Sequence, residues 1–167
     1  MRAILLAVLP ALLLMQGCVG SKTFSGKPKQ MPEAIQAYPF GMELREFKRA
    51  NSSANRQEEN TMSFREVFLE ENPSLDIESV VYYFDSDGRK PLYEFILNYR
   101  NTTVRDAWAE NNLGPKNHAD GTEWLYKSHA GYEINVWTFN NKLVFAAAIP
   151  GCEWDENKDG KIDAAVN

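Results

Sequence analysis

The chain has 167 residues, a formal net charge of −5, 44% hydrophobic and 12% aromatic residues. That length fits one domain with a sizeable core, and the apolar share is too high for disorder. The acidic balance argues against nucleic acid, whose phosphates attract basic patches, and against adhesion to anionic lipid by net charge alone.

The first predicted element is an apolar run, Ala3 to Met15, "AILLAVLPALLLM". A membrane-spanning helix needs about 20 apolar residues, so the run is too short to span. Pro10 also interrupts it, because its ring removes a hydrogen bond and clashes with the preceding turn. Arg2 before the run and the small Gly17 after it give the layout of a secretory signal peptide. The cysteine that follows narrows this. "LMQGC", residues 14–18, resembles the lipobox of bacterial lipoproteins, with Gly17 as the small residue and Cys18 as the acceptor. Met15 departs from the leucine usual in that family.

The resemblance implies that residues 1–17 are cleaved as a lipoprotein signal peptide. It also implies that Cys18 is acylated, palmitate included, and anchors the chain through membrane lipid. Several acyl chains, at about 0.8 kcal/mol per buried CH₂, anchor stably. Val19 stands where an inner-membrane retention signal has aspartate. In the family that implies the outer membrane of a Gram-negative cell. No acidic cluster follows Cys18, so the periplasmic face of the cell envelope is expected. Lipidation would leave Cys152 without a partner within the chain, since there are two cysteines. Cys152 is expected to be a buried small apolar residue. Its neighbours Glu153 and Asp155 would raise the thiol pKa, which is wrong for a nucleophile.

Residues 18–37 carry glycine, serine, proline and lysine with little periodicity, and read as the lipidated N-terminus and a flexible tether. One α+β domain is expected over 38–152, followed by an acidic tail over 153–167. A short helix is predicted from Met42 and an exposed loop over 51–60. Ser63 and Glu66 have capping-box spacing. Phe64, Val67 and Phe68 share one face, so a helix is predicted up to Asn72-Pro73. Strands are predicted over 77–84 and 92–100, joined by a hairpin at Asp87-Gly88. The next helix is expected to be capped by Thr103, with Asp106 three residues on, and to end at Leu113-Gly114-Pro115. Three strands follow, over 123–128, 132–140 and 142–149, with a turn at Asn140-Asn141. In the last strand Val144, Ala146 and Ala148 form a small-residue face, and helices are expected against it. The whole reads as a two-layer α+β fold, an antiparallel sheet of about five strands on helices.

The helix ending in "NLGPKN" and the strands "EWLY…YEINVWTFNNKLVFAA" resemble the SmpA/OmlA-type outer-membrane assembly lipoproteins and the β-lactamase-inhibitor-like fold. Leu113, Gly114, Trp124, Tyr126, Phe139 and Leu143 carry the likeness over about 45 residues, and Pro115 comes one place early. The stretch from Tyr38 to Arg100 reads as a degenerate copy of the same unit, with Gly41-Met42 opening its helix. The resemblance implies a non-catalytic binding or assembly module.

One stretch has the spacing of a metal loop. "DENKDGKID" fills much of a calcium-loop pattern: Asp155, Asn157, Asp159, Lys161 (through its backbone) and Asp163, with Gly160 at the sharp turn. Position 12, normally a bidentate glutamate, is Val166. Weak calcium binding and a solvated acidic tail both remain open. "DSDG", 85–88, is explained by turn chemistry. His118 and His129 lack zinc or triad spacing, and glycine-rich phosphate loops are absent. No nucleophile, base and orienting group assemble, so an envelope hydrolase is disfavoured and no enzyme activity is expected. Glu133, Asn135, Trp137 and Phe139 alternate onto one face of their strand, which is expected to be the open, partner-binding side. The expected function is a lipid-anchored interaction or assembly module that contacts another envelope protein or polymer. The alternative is a calcium-stabilised binding module. Calcium titration of the chain lacking its leader separates the two: a raised melting temperature at millimolar calcium supports the clip, and no shift dismisses it.

Overall fold

Buried and less buried side chains alternate over residues 80–84 and 133–137, because successive residues of a strand point to opposite faces. A computed structural model describes residues 22–23, 31–128 and 130–155. The elements, in chain order, are β1 (Lys22–Thr23), α1 (Leu44–Ala50), β2 (Asn55–Arg56), β3 (Arg65–Glu71), β4 (Ile77–Asp85), β5 (Leu92–Tyr99), α2 (Thr102–Leu113), β6 (Trp124–Lys127), β7 (Glu133–Phe139) and β8 (Lys142–Ala148). They form one eight-stranded sheet in the order β1-β6-β7-β8-β5-β4-β3-β2. All neighbours pair antiparallel except β1, which lies parallel to β6. The α+β class and the antiparallel sheet agree with the sequence reading, but the sheet has more strands than the five expected.

Each half of the domain runs helix, then three long or medium strands: α1 with β3, β4 and β5, and α2 with β6, β7 and β8. The halves join where their last strands pair, Phe95 opposite Phe145 and Leu97 opposite Leu143. Directly opposed residues form a core row across six strands: Phe68, Tyr82, Phe95, Phe145, Val136 and Trp124. All six are buried.

Both helices cover this row. Leu44 and Phe47 of α1 are buried, and the Phe47 ring lies 4.7 Å from Tyr82 and 4.9 Å from Phe84. Ala109 and Leu113 of α2 are buried, with Trp108 edge-on to Phe145 at 6.3 Å. The last carbonyls of a helix lack intrahelical partners. Here Tyr126 Oη donates to Leu113 O at 3.0 Å, and Trp124 Nε1 donates to Gly114 O at 2.8 Å. The buried core draws on residues from Ile35 to Cys152, so a chain lacking the leader and Cys18 retains all of it.

Four expectations are corrected. Residues 65–71 form strand β3, where a helix over 63–72 was predicted. Phe64, Val67 and Phe68 suit a helical face, but Val67-Phe68-Leu69 is a short continuous apolar run, which does not separate the two periods. Pairing with β4 along its whole length decides it. Glu66 does not cap; its carboxylate meets Lys90 and Arg56. The loop over 51–60 contains β2, which pairs Asn55 with Leu69 and Arg56 with Phe68. The helix predicted at Thr103 is capped earlier, by Asn101, whose side chain accepts from Val104 N at 2.9 Å. Finally, the helices pack against Leu143, Phe145 and Ala147, not against the small residues Val144 and Ala146. The Phe145 ring on that side meets Trp108 edge-on, while Val144 lies opposite Trp137 and Ala146 opposite Asn135 of the neighbouring strand.

Phe47 is fully buried where α1 meets β3 and β4. Phe47→Ala should destabilise the domain by about 3–5 kcal/mol, the usual cost of emptying a large aromatic site, measured by urea unfolding.

Candidate functional site

The sheet face opposite the helices is the candidate site, and strand register builds it. One row reads Leu69, Val81, Ile96, Val144 and Trp137, directly opposed across β3, β4, β5, β8 and β7. All five are apolar and none belongs to the main core. Four of them are half-buried and Val144 is buried. On one side of this row lies a polar row, with Glu71, Ser79, Asn98 and Lys142 ending at Phe139. Phe139 is 60% exposed. On the other side lies a mixed row: Val67, Tyr83, Glu94, Ala146, Asn135 and Leu125.

The four residues expected on the open face all lie there. Asn135 and Trp137 are half-buried, Glu133 and Phe139 are exposed, and Ile134 and Val136 between them point into the core. The structure adds what lies beside them. After β8 the chain turns back over the sheet, and the Trp154 ring packs against Trp137, its centroid 5.4 Å away and its plane tilted by 59°. Its Nε1 donates to Glu94 Oε2 at 2.8 Å. Next to it, Tyr93 Oη donates to Glu153 Oε2 at 2.5 Å, and Arg65 Nη1 lies 3.5 Å from Glu153 Oε1. The Arg65 guanidinium also stacks over Tyr83 and Phe64, at 5.1 and 5.3 Å. Its Nε is buried with no hydrogen-bond partner among the described residues.

Glu94 is 7% exposed, in the middle of the sheet. Burial pushes its carboxyl up to about 7; the Trp154 N–H pulls it down, the Glu153 charge adds to the rise and Arg65 opposes it. Burial likewise raises the Tyr93 and Tyr83 hydroxyls above their ordinary range. Sequence reasoning missed Arg65, Glu94 and Trp154. The available signal was Glu94 itself, a lone charge within the otherwise apolar start of "LYEFILNY". A lone acid there is either turned to solvent or held by a donor, and only the structure identifies the donor as Trp154.

The other predicted sites lie apart from this face. Cys18, His129, Asn157, Asp159, Lys161 and Asp163 fall outside the described residues. Asp155 Oδ2 accepts from Gly151 N at 2.8 Å, closing a turn. Asp85 Oδ1 accepts from Asp87 N at 2.7 Å, also turn chemistry. His118 is exposed and bonds Asp120 at 2.8 Å, and that bond raises its pKa. Cys152 is buried at 2% exposure. Among the described residues, no three histidine, cysteine, aspartate or glutamate side chains converge as a metal site, and no helix is long and apolar enough to cross a membrane. Comparison with protein families, with curated proteins and with solved structures finds no match to this chain.

The Glu94 shift gives a pH dependence with a defined sign. Its folded pKa lies above the unfolded value near 4.5. The folded state therefore binds more protons between those two values, and stability falls as pH rises through about 7. The shift corresponds to about 3 kcal/mol. Urea unfolding at pH 5 to 8 should show this loss in the native chain. Glu94→Gln, which keeps an acceptor for Trp154, should flatten the profile and be the more stable form at pH 8.

Proposed function

We propose that this chain is a lipid-anchored, periplasm-facing outer-membrane lipoprotein that serves as a non-catalytic protein-interaction or assembly module. The observation that supports it best is the apolar row from Leu69 to Trp137 on the uncovered sheet face. Contiguous apolar surface rimmed by polar residues marks interaction sites. Aromatic anchors carry much of the binding energy at such a patch. Trp137 and Trp154 are the aromatic anchors here, at the β7 end of the row, and Phe139 stands at the rim. The occupant is an envelope protein offering an apolar surface with a donor or cation for the carboxylates of Glu94 and Glu153. The lipobox resemblance at Leu14 to Cys18 supports the anchor, and the assembly-lipoprotein resemblance of the second half points the same way.

Two measurements test the two parts. A photo-crosslinking residue at Ile96 or Phe139 should trap a protein in intact cells, while one at Glu110, on the exposed side of α2, should not. Equal trapping, or none, from the sheet positions removes the docking face. Cys18→Ser should shift the chain out of the membrane fraction, and retention there sinks the lipid anchor.

A further inference from the structure

We propose that the cleft between α1 and the β4–β5 hairpin binds the phosphate of an anionic lipid headgroup. The helix "LREFKRA" buries Leu44 and Phe47 and turns Arg45, Lys48 and Arg49 outward. These three lie at i, i+3 and i+4, so they crowd one stripe and repel one another. The hairpin brings Arg89 and Lys90 to the same place. Leu44 N donates to Lys90 O at 3.0 Å, which ties the helix start to the hairpin.

The resulting cleft measures about 660 Å³ and is lined by five cations and one carboxylate, Glu43. Glu43 takes Arg89 at 3.3 Å, and Lys90 pairs with Glu66. Arg45, Lys48 and Arg49 make no ion pair with any described residue. Lys48 lies 5.2 Å over the Phe68 ring, which holds it at the cleft.

This concentration of cations runs against a chain whose net charge is −5. A multiply charged oxyanion relieves the repulsion, and guanidinium groups take phosphate oxygens through paired N–H donors. The source follows from the anchor, so this inference rests on the lipidated reading for where the ligand is met. Only three residues, Val19 to Ser21, separate Cys18 from Lys22 in β1, four Cα steps that reach about 14 Å at full extension. The domain is thereby held among headgroups, and a surface phosphate is the anion it meets at highest concentration.

The test uses the soluble chain from Val19 onward, which keeps the whole core, with sedimentation against vesicles of phosphatidylcholine alone or with about 30% phosphatidic acid at low salt. The chain should bind the acidic vesicles and not the neutral ones. Each cation near an anionic surface contributes about fivefold, so R45Q/R49Q should lose about 25-fold. K116Q/K127Q, which removes the same charge elsewhere, should keep its binding. All variants should melt with the native chain, since these side chains are exposed. No binding to acidic vesicles, or an equal loss in the K116Q/K127Q pair, overturns the proposal. A rise in melting temperature with inorganic phosphate, without vesicle binding, assigns the cleft to soluble phosphate and overturns the lipid source. Because this chain carries no anchor, the result is independent of the Cys18→Ser fractionation.

Discussion

The antiparallel pairing of β5 with β8 is the contact on which the rest of the domain depends. It is the seam between the two helix-plus-strands halves, and it sets the register of every row across the sheet. On one face it brings Phe95 against Phe145 and Leu97 against Leu143, closing a core beneath both helices. On the other it puts Glu94 beside Ala146 and Ile96 beside Val144. Because side chains alternate with a period of two, a slip of one residue at this seam would exchange the faces. Glu94 would then enter the helix-covered core and Phe95 would enter water. The aromatic core and the apolar surface row are therefore specified by one hydrogen-bonded ladder.

That ladder also explains why a carboxylate sits near the middle of the sheet. The helices cover only the Phe145 side, so the opposite face is closed by little besides the returning Trp154. This side chain covers Trp137 and supplies the donor that Glu94 requires. A buried carboxylate without a hydrogen bond costs more than one with a donor, so Glu94 and Trp154 are interdependent. Arg65, Glu153 and Tyr93 extend the arrangement to the sheet's edge. The returning segment thus covers one part of the face, through Trp154 on Trp137 and Glu94 and through Glu153 on Tyr93 and Arg65.

The fold was legible in the sequence wherever one period dominated. The strands at 77–85, 92–99, 124–127, 133–139 and 142–148, and the helix ending at Gly114, followed from alternation, turn chemistry and a glycine that accepts positive φ. The stretch "REVFLEE" was not legible, because the consecutive Val67, Phe68 and Leu69 form a short apolar run that does not decide between the two periods; its pairing with β4 is a long-range fact. The covered side of β8 misled for a related reason. Small side chains admit a helix, but they also admit a tryptophan from the next strand, and sequence does not say which arrives. Glu133, Asn135, Trp137 and Phe139 share the face opposite the helices, as alternation alone requires. Arg65, Glu94 and Trp154 come from three separated segments, and no local pattern joins them. The basic cleft was hidden by averaging, because the chain's net negative charge conceals cations that the fold gathers from α1 and a distant hairpin.

The two proposed surfaces are compatible with a single orientation at a membrane. Arg45, Lys48 and Arg49 are exposed along the cleft on the helix side of the sheet, and the row from Leu69 to Trp137 lies on its other face. Packed layers lie about 10 Å apart. If the helix layer rests on headgroups, the β6 edge, where β1 is paired, stands about one layer higher, within the reach of the four residues after Cys18. The sheet face then points away from the bilayer. A protein partner would approach it from the aqueous side without competing with lipid, and the anchor, the cations and the aromatic row would act on three different neighbours at once.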